Sequence, residues 1–237
     1  MKKKPVSNLS KVIVAIVAVC VLVAAVIISR TRPTTQPQNK TSLADAGQEQ
    51  AIRAQKRFEA LMATHPDEGI KRDLNRLLVW EGHGFYQFRP IRDMSGALGV
   101  FSVVDFEGRM VPVFEINSEA LLNPNLSDKK MQLVIFHEYQ HMLDYLKGVD
   151  PPEMYMRTVF AEIAEAKMKR IYDGEIRAYL AQCRLAVRIH WENEFSLCRD
   201  FAVGGERLLR RNVAIGMSRN PVFGKHSDFL LRIAQEN

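Results

Sequence analysis

Seventeen consecutive apolar residues, Val12 to Ile28, without a charge, a proline or a glycine, constrain this 237-residue chain more than any other feature. Coiled as a helix, such a run is about 26 Å long. The hydrocarbon core of a bilayer is roughly 30 Å thick. Ser29 and the snorkelling side chains of Lys11 and Arg30 close the gap. The sequence therefore predicts a transmembrane signal anchor over residues 12–29. A cleavable signal has a shorter apolar stretch that ends in small residues of A-x-A type, whereas this one ends Ile27-Ile28-Ser29. Lys2, Lys3, Lys4 and Lys11 precede the run, against Arg30 and Arg32 just after it. That bias keeps the basic segment 1–11 in the cytoplasm and places the rest of the chain outside the cytoplasmic membrane, in the periplasm or extracellular space. Residues 30–43, with Arg32-Pro-Thr-Thr-Gln-Pro-Gln-Asn-Lys40, have the composition of a flexible linker. Residues 44–237 remain for one domain with an ordinary core.

The net charge of +6 is concentrated at the front of the chain. Residues 1–40 hold seven of the 33 Lys and Arg and none of the 27 Asp and Glu, so the rest of the chain is close to neutral. Nothing in it calls for nucleic acid as a partner. Cys20 lies in the apolar run, and Cys183 and Cys198 are not spaced as a thiolate metal site. In an oxidising compartment these two can bridge neighbouring helices; two separate buried thiols are the alternative.

Within the domain, Ala44–Ala63 reads as an amphipathic helix, with Ile52, Phe58, Leu61 and Met62 on its apolar side, and a short helix is expected from Asp67 to about Val79. Phe85–Phe88, Val100–Val104 and Met110–Ile116 are aromatic and β-branched, as strands are. Glu107-Gly108 marks a hairpin between the last two, and Pro112 demotes the last to an edge strand. Ser127 and Gly148 bracket a helix from Asp128 to about Leu146. Further helices are expected over Pro152–Tyr172, Gly174–Glu192 and Phe195–Ala214, with a shorter one near the C-terminus. The expected fold class is α+β: a transmembrane helix, then a single mostly helical domain with a small antiparallel sheet.

The central helix carries His137-Glu138-Tyr139-Gln140-His141. Histidines four apart on a helix project from one face a turn apart, as two ligands of one tetrahedral zinc must. In an H-E-x-x-H arrangement the glutamate binds no metal but takes a proton from the attacking water. With six His in 237 residues the pattern arises by chance in about one such chain in a hundred. The competing explanation is a helix face with two incidental histidines. Leu133, Val134, Ile135, Phe136 and Met142 around the motif favour a helix half-buried along a cleft. A catalytic zinc needs a third protein ligand. Asp144 and Lys147 stand where a metzincin would have its glycine-led third histidine pattern, which excludes that class. Glu175, Glu162 and Glu165 are the carboxylates available on later helices.

His137-Glu-Tyr-Gln-His-Met-Leu-Asp144 with the downstream Glu175-x-x-Ala178-Tyr179 resembles the gluzincin group of zinc metallopeptidases, in which an HExxH helix is followed by a helix bearing a glutamate ligand. The likeness covers some fifty of the 237 residues. It implies Zn2+ held by His137, His141 and Glu175, with Glu138 as general base; the spacing of thermolysin-like members points to Glu162 instead. It implies a zincin-like domain acting on peptide or protein substrates. Asp144 is a candidate partner for the free ring N–H of His141, an ordinary salt bridge being the alternative. Tyr179, Tyr172 and His190 are candidate donors to an oxyanion. His65, His83 and His226 read as structural or exposed. The expected function is a membrane-anchored zinc peptidase; a catalytically inactive scaffold protein of the cell envelope, and an unrelated helical protein with a chance motif, are the other classes to weigh.

Overall fold

Strong helix formers fill the stretch from Leu43 to Ala63, which forms helix α1. Its inner face is Ala54, Phe58, Leu61 and Met62, all buried, while Ile52 points to solvent. The computed structural model describes residues 43–66, 68, 71–72, 87–91, 97–155 and 163–236. The expected helix from Asp67 to Val79 falls almost wholly outside them.

Three strands follow: β1 (Gln87–Ile91), β2 (Gly99–Phe106) and β3 (Arg109–Asn117). Glu107 and Gly108 both have positive φ, 53° and 78°. That is the two-residue hairpin geometry whose twist matches the strands it joins. Asp105 Oδ1 accepts the Gly108 N–H at 2.8 Å and secures the turn. Residues β2 and β3 thus pair antiparallel, from Phe106↔Arg109 back to Gly99↔Ile116.

The fold class expected from the sequence is corrected on two counts. The sheet is mixed, in the order β1-β3-β2, because β1 lies parallel to β3 on the side away from β2. The hairpin dictated only the β2–β3 pairing; the side on which β1 joined is a matter of packing. Second, no helix among the described residues is long and apolar enough to cross a membrane, and residues 12–29 lie outside the described residues.

Pro112 also misdirects. β3 is the central strand, and β1 pairs with it only from Val113 onward, so the missing N–H of Pro112 breaks no ladder on that side. The strand edge that borders α3 belongs to β2, whereas β1 packs on α1.

A short helix α2 (Ser118–Leu122) is capped by the Asn117 side chain. Helix α3 (Asp128–Leu146) has the bounds the sequence predicts: Ser127 Oγ accepts the Lys130 N–H at 3.1 Å. At the other end Gly148 is left-handed, its N–H bonding to the Tyr145 carbonyl and that of Val149 to the Asp144 carbonyl. This is a Schellman ending. From Met131 to Met142 every residue of α3 except Gln140 is buried. It is the central helix of the domain, not one half-buried along a wall, and packs on α1, β2 and β3.

Two expected helices are replaced by one. Helix α4 runs unbroken from Glu165 to Arg188, through Gly174, whereas Pro152–Met154 is a single 3-10 turn. Gly174 is buried beside Asp150 and Arg177, and the helix carries through it without a break. Helix α5 (Ser196–Arg219) then packs on α4, and α6 (Ser227–Glu236) on α5. A disulfide between Cys183 and Cys198 joins α4 to α5, with Cα atoms 4.6 Å apart.

Candidate metal centre

Helix spacing puts His137 and His141 one turn apart on α3, and packing of α4 across α3 brings Glu175 to the same point. His137 Nε2 and His141 Nε2 are 3.2 Å apart. The Glu175 carboxylate oxygens lie 3.3 Å from His137 Nε2 and 3.5 Å from His141 Nε2. Bonds of about 2.0–2.2 Å in a tetrahedral shell would leave neighbouring N and O ligand atoms about 3.3–3.5 Å apart. One ligand atom from each of the three residues lies within 4.8 Å of the others, so this donor set is of a size to hold a zinc ion.

The chemistry of the donors fits as well. His137 Nδ1 lies 3.1 Å from Gln182 Oε1, both residues being buried. An amide oxygen only accepts, so Nδ1 carries a proton and donates it, and Nε2, which faces His141 and Glu175, is the nitrogen that can give up its proton to a metal. Gln182 lies seven residues after Glu175, two turns along the same face of α4. That spacing was a readable signal for it, yet sequence reasoning gave Gln182 no role. His141 Nδ1 is buried and has no hydrogen-bond partner among the described residues. Asp144 is not that partner: its Oδ2 accepts Arg177 Nε at 2.7 Å, the ordinary salt bridge.

Glu138 is buried next to the cluster and accepts the backbone N–H of Phe101, on β2, at 2.7 Å. Burial raises its pKa, His137 pulls it back, Glu175 adds to the rise and the Phe101 N–H opposes it; the result is about 7. A carboxylate so placed is suited to taking up and releasing a proton near neutrality. Glu175 goes the other way. Burial acts to raise its pKa, but the charge of His141 and hydrogen bonds from both histidines overcome this and hold it well below the usual carboxylate range. Two neighbouring carboxyls are thereby driven apart, one kept ionised and one poised.

Of the three candidate oxyanion donors, only Tyr179 stands here, its ring centroid 4.3 Å from that of His137. Burial, with Glu175 and then Glu138, raises its pKa, which keeps the phenol protonated and a donor. The Tyr172 hydroxyl instead donates to the Arg210 carbonyl at 3.0 Å, and His190 is exposed in the turn after α4. Glu165 is at the start of α4, paired with Arg232, and Glu162 lies outside the described residues. His65 and His226 are buried away from the cluster, and His83 is outside the described residues.

No family model, curated protein or solved structure matches this chain. The reading of the site therefore stands on its own geometry.

Proposed function

We propose that this protein is a zinc-dependent metallopeptidase of gluzincin type, acting on peptide or protein substrates outside the cytoplasm. The observation that carries the reading is the convergence of His137 Nε2 and His141 Nε2, 3.2 Å apart, on the Glu175 carboxylate, whose Oε2 lies 3.3 Å from the first and Oε1 3.5 Å from the second, with Glu138 alongside. Those three side chains would hold the zinc. When bound, a zinc ion supplies Lewis acidity, polarising a carbonyl and lowering the pKa of water toward about 7.

The chain's own groups supply the rest. Glu138 takes the proton from the attacking water and passes it to the leaving amine, its carboxylate oriented by the Phe101 N–H. Gln182 holds the His137 ring in the tautomer that presents Nε2. Tyr179 donates toward the carbonyl oxygen as charge develops on it. Peptides are favoured over other carbonyl substrates because the free edge of β2 runs beside Glu138 and can pair with an extended backbone. The Cys183–Cys198 disulfide supports an oxidising compartment, as does the balance of lysines about residues 12–29.

The test is metal content of the full chain by elemental analysis, together with hydrolysis of an unstructured protein such as casein. The expected result is about one zinc per chain, lost in His141→Ala and Glu175→Ala and retained in Glu138→Gln, whose rate falls roughly 10²–10⁴-fold. A folded wild-type chain that takes up no zinc from excess metal, or a Glu138→Gln variant as active as wild type, defeats the reading.

A further inference from the structure

The free edge of β2 is shorter than the strand. Its residues alternate between facing β3 and facing outward. Phe101 and Val103 face outward: the N–H of Phe101 goes to Glu138, and that of Val103 to the backbone carbonyl of Tyr155 at 3.1 Å. Gly99, two residues before Phe101, is in the same phase. An added strand can therefore use Gly99 and the carbonyl of Phe101, but meets Tyr155 at Val103, about 7 Å further along the strand.

Tyr155 is held there by a latch. Its hydroxyl donates to Asp150 Oδ2 at 2.9 Å. Arg177 of α4 donates through Nη2 to the same Asp150 oxygen and through Nε to Asp144 of α3. Burial works against the Arg177 charge, but bonds to Asp144 and Asp150 more than offset it. The Tyr155 ring packs edge-on to Phe101, centroids 5.0 Å apart, and lies 5.9 Å from the ring of His141. The segment after α3 is thus fastened to both helices that carry the proposed ligands, and among the described residues it closes the β2 edge on one side of Glu138 and not on the other.

We propose that Tyr155, latched by Asp150 and Arg177, makes the cleft one-sided, so that the enzyme cleaves near the free N-terminus of peptides. The inference rests on the peptidase reading above and deepens it. Antiparallel pairing is the stronger mode for an added strand. In that mode the substrate residues opposite Val103 are N-terminal to those opposite Phe101, and the residues opposite Gly99 are C-terminal to them. With the scissile carbonyl beside Glu138, about two extended residues fit between it and the Tyr155 carbonyl. The C-terminal remainder leaves along Gly99. Arg177 and Asp150 are positioning residues in this scheme and touch neither substrate nor metal.

The test uses the zinc-loaded full chain, unstructured peptides of graded length, and mass spectrometry of the products. Cuts are expected within about two residues of the N-terminus whatever the peptide length. In Arg177→Gln and in the milder Tyr155→Phe, zinc content should be unchanged while cuts spread toward the middle of the peptide. A readout independent of turnover is hydrogen exchange at the Val103 amide, protected in the wild type and roughly tenfold faster in Arg177→Gln. Wild-type cuts at positions unrelated to the N-terminus, or a Val103 amide that exchanges freely, overturn the one-sided cleft and leave the peptidase reading intact. A zinc-loaded chain that cuts no peptide removes the peptidase reading, and the one-sided cleft with it. Since Tyr155→Phe deletes a single hydroxyl, it decides the matter even if Arg177→Gln fails to fold.

Discussion

On one side of Glu138 stand two helices, α3 and α4; on the other stands the edge of β2 with Tyr155 laid across it. The helical side is tied together in buried surroundings by the His137–Gln182 bond and by the apolar residues of α3, and a disulfide one residue beyond Gln182 fastens α4 in turn to α5. The strand side is held by backbone hydrogen bonds and by one arginine, Arg177, whose side chain is 38% exposed. A metal site needs ligands kept within a fraction of an ångström, whereas a substrate rim has to open for its occupant. The contrast in how the two sides are held matches what the proposed peptidase would demand of them.

Breaking the covalent tie should give the largest effect. Replacing Cys183 and Cys198 together by Ser frees the loop between α4 and α5, and urea unfolding should report a loss of about 3 kcal/mol for a loop of this size. If the helical side owes its rigidity to that bond, zinc affinity should fall in the same variant. The next effect is more local. Gln182→Ala removes the hydrogen bond that orients His137, and competition with a chelator should show zinc bound about 10–100-fold more weakly. Arg177→Gln, which frees Tyr155 and removes one half-exposed tie between α3 and α4, should lower zinc affinity far less than Gln182→Ala, and this pair of variants separates the two sides most directly.

Gly99→Ala probes where the sides meet. A Cβ at Gly99 would lie 3.0 Å from Glu138 Cγ and from Val134 Cγ1, and 3.1 Å from Ile116 Cδ1. The crowding should cost roughly 1 kcal/mol of stability and lower kcat by displacing Glu138, with zinc content preserved. The smallest effect belongs to Asp128→Asn, which removes the exposed ion pair between Arg57 of α1 and Asp128 at the start of α3. Thermal unfolding in low and high salt should differ between variant and wild type by less than about 1 kcal/mol.

Much of the helical side was legible in the chain because its information is local. A capping serine, a left-handed glycine and histidines four apart act over one or two turns, and the bounds of α3 follow from them. Gln182 was legible by the same rule, at a spacing of seven from Glu175, but an amide draws no notice until its partner on another helix is known. The strand side was not legible. Pro112 suggested an edge where β3 is central, and nothing around Tyr155 in the sequence announces that its carbonyl meets Val103, more than fifty positions earlier. The expected break at Gly174 failed for a related reason: a glycine weakens a helix, yet here the helix continues through it, with buried residues on both sides that the tertiary packing holds in place.

By itself the sequence determined the hairpin at Glu107-Gly108, the limits of α3, and the presentation of His137 and His141 from one helical face. Backbone dihedral preferences and helical periodicity settle such features within a few residues. Only the tertiary structure decided that β1 joins the far side of β3, that Glu175 and not Glu165 meets the two histidines, and that Tyr155 closes part of the β2 edge. Each of those brings together groups tens of residues apart. Their meeting depends on how whole helices and strands bury their apolar faces against one another, which no local pattern specifies.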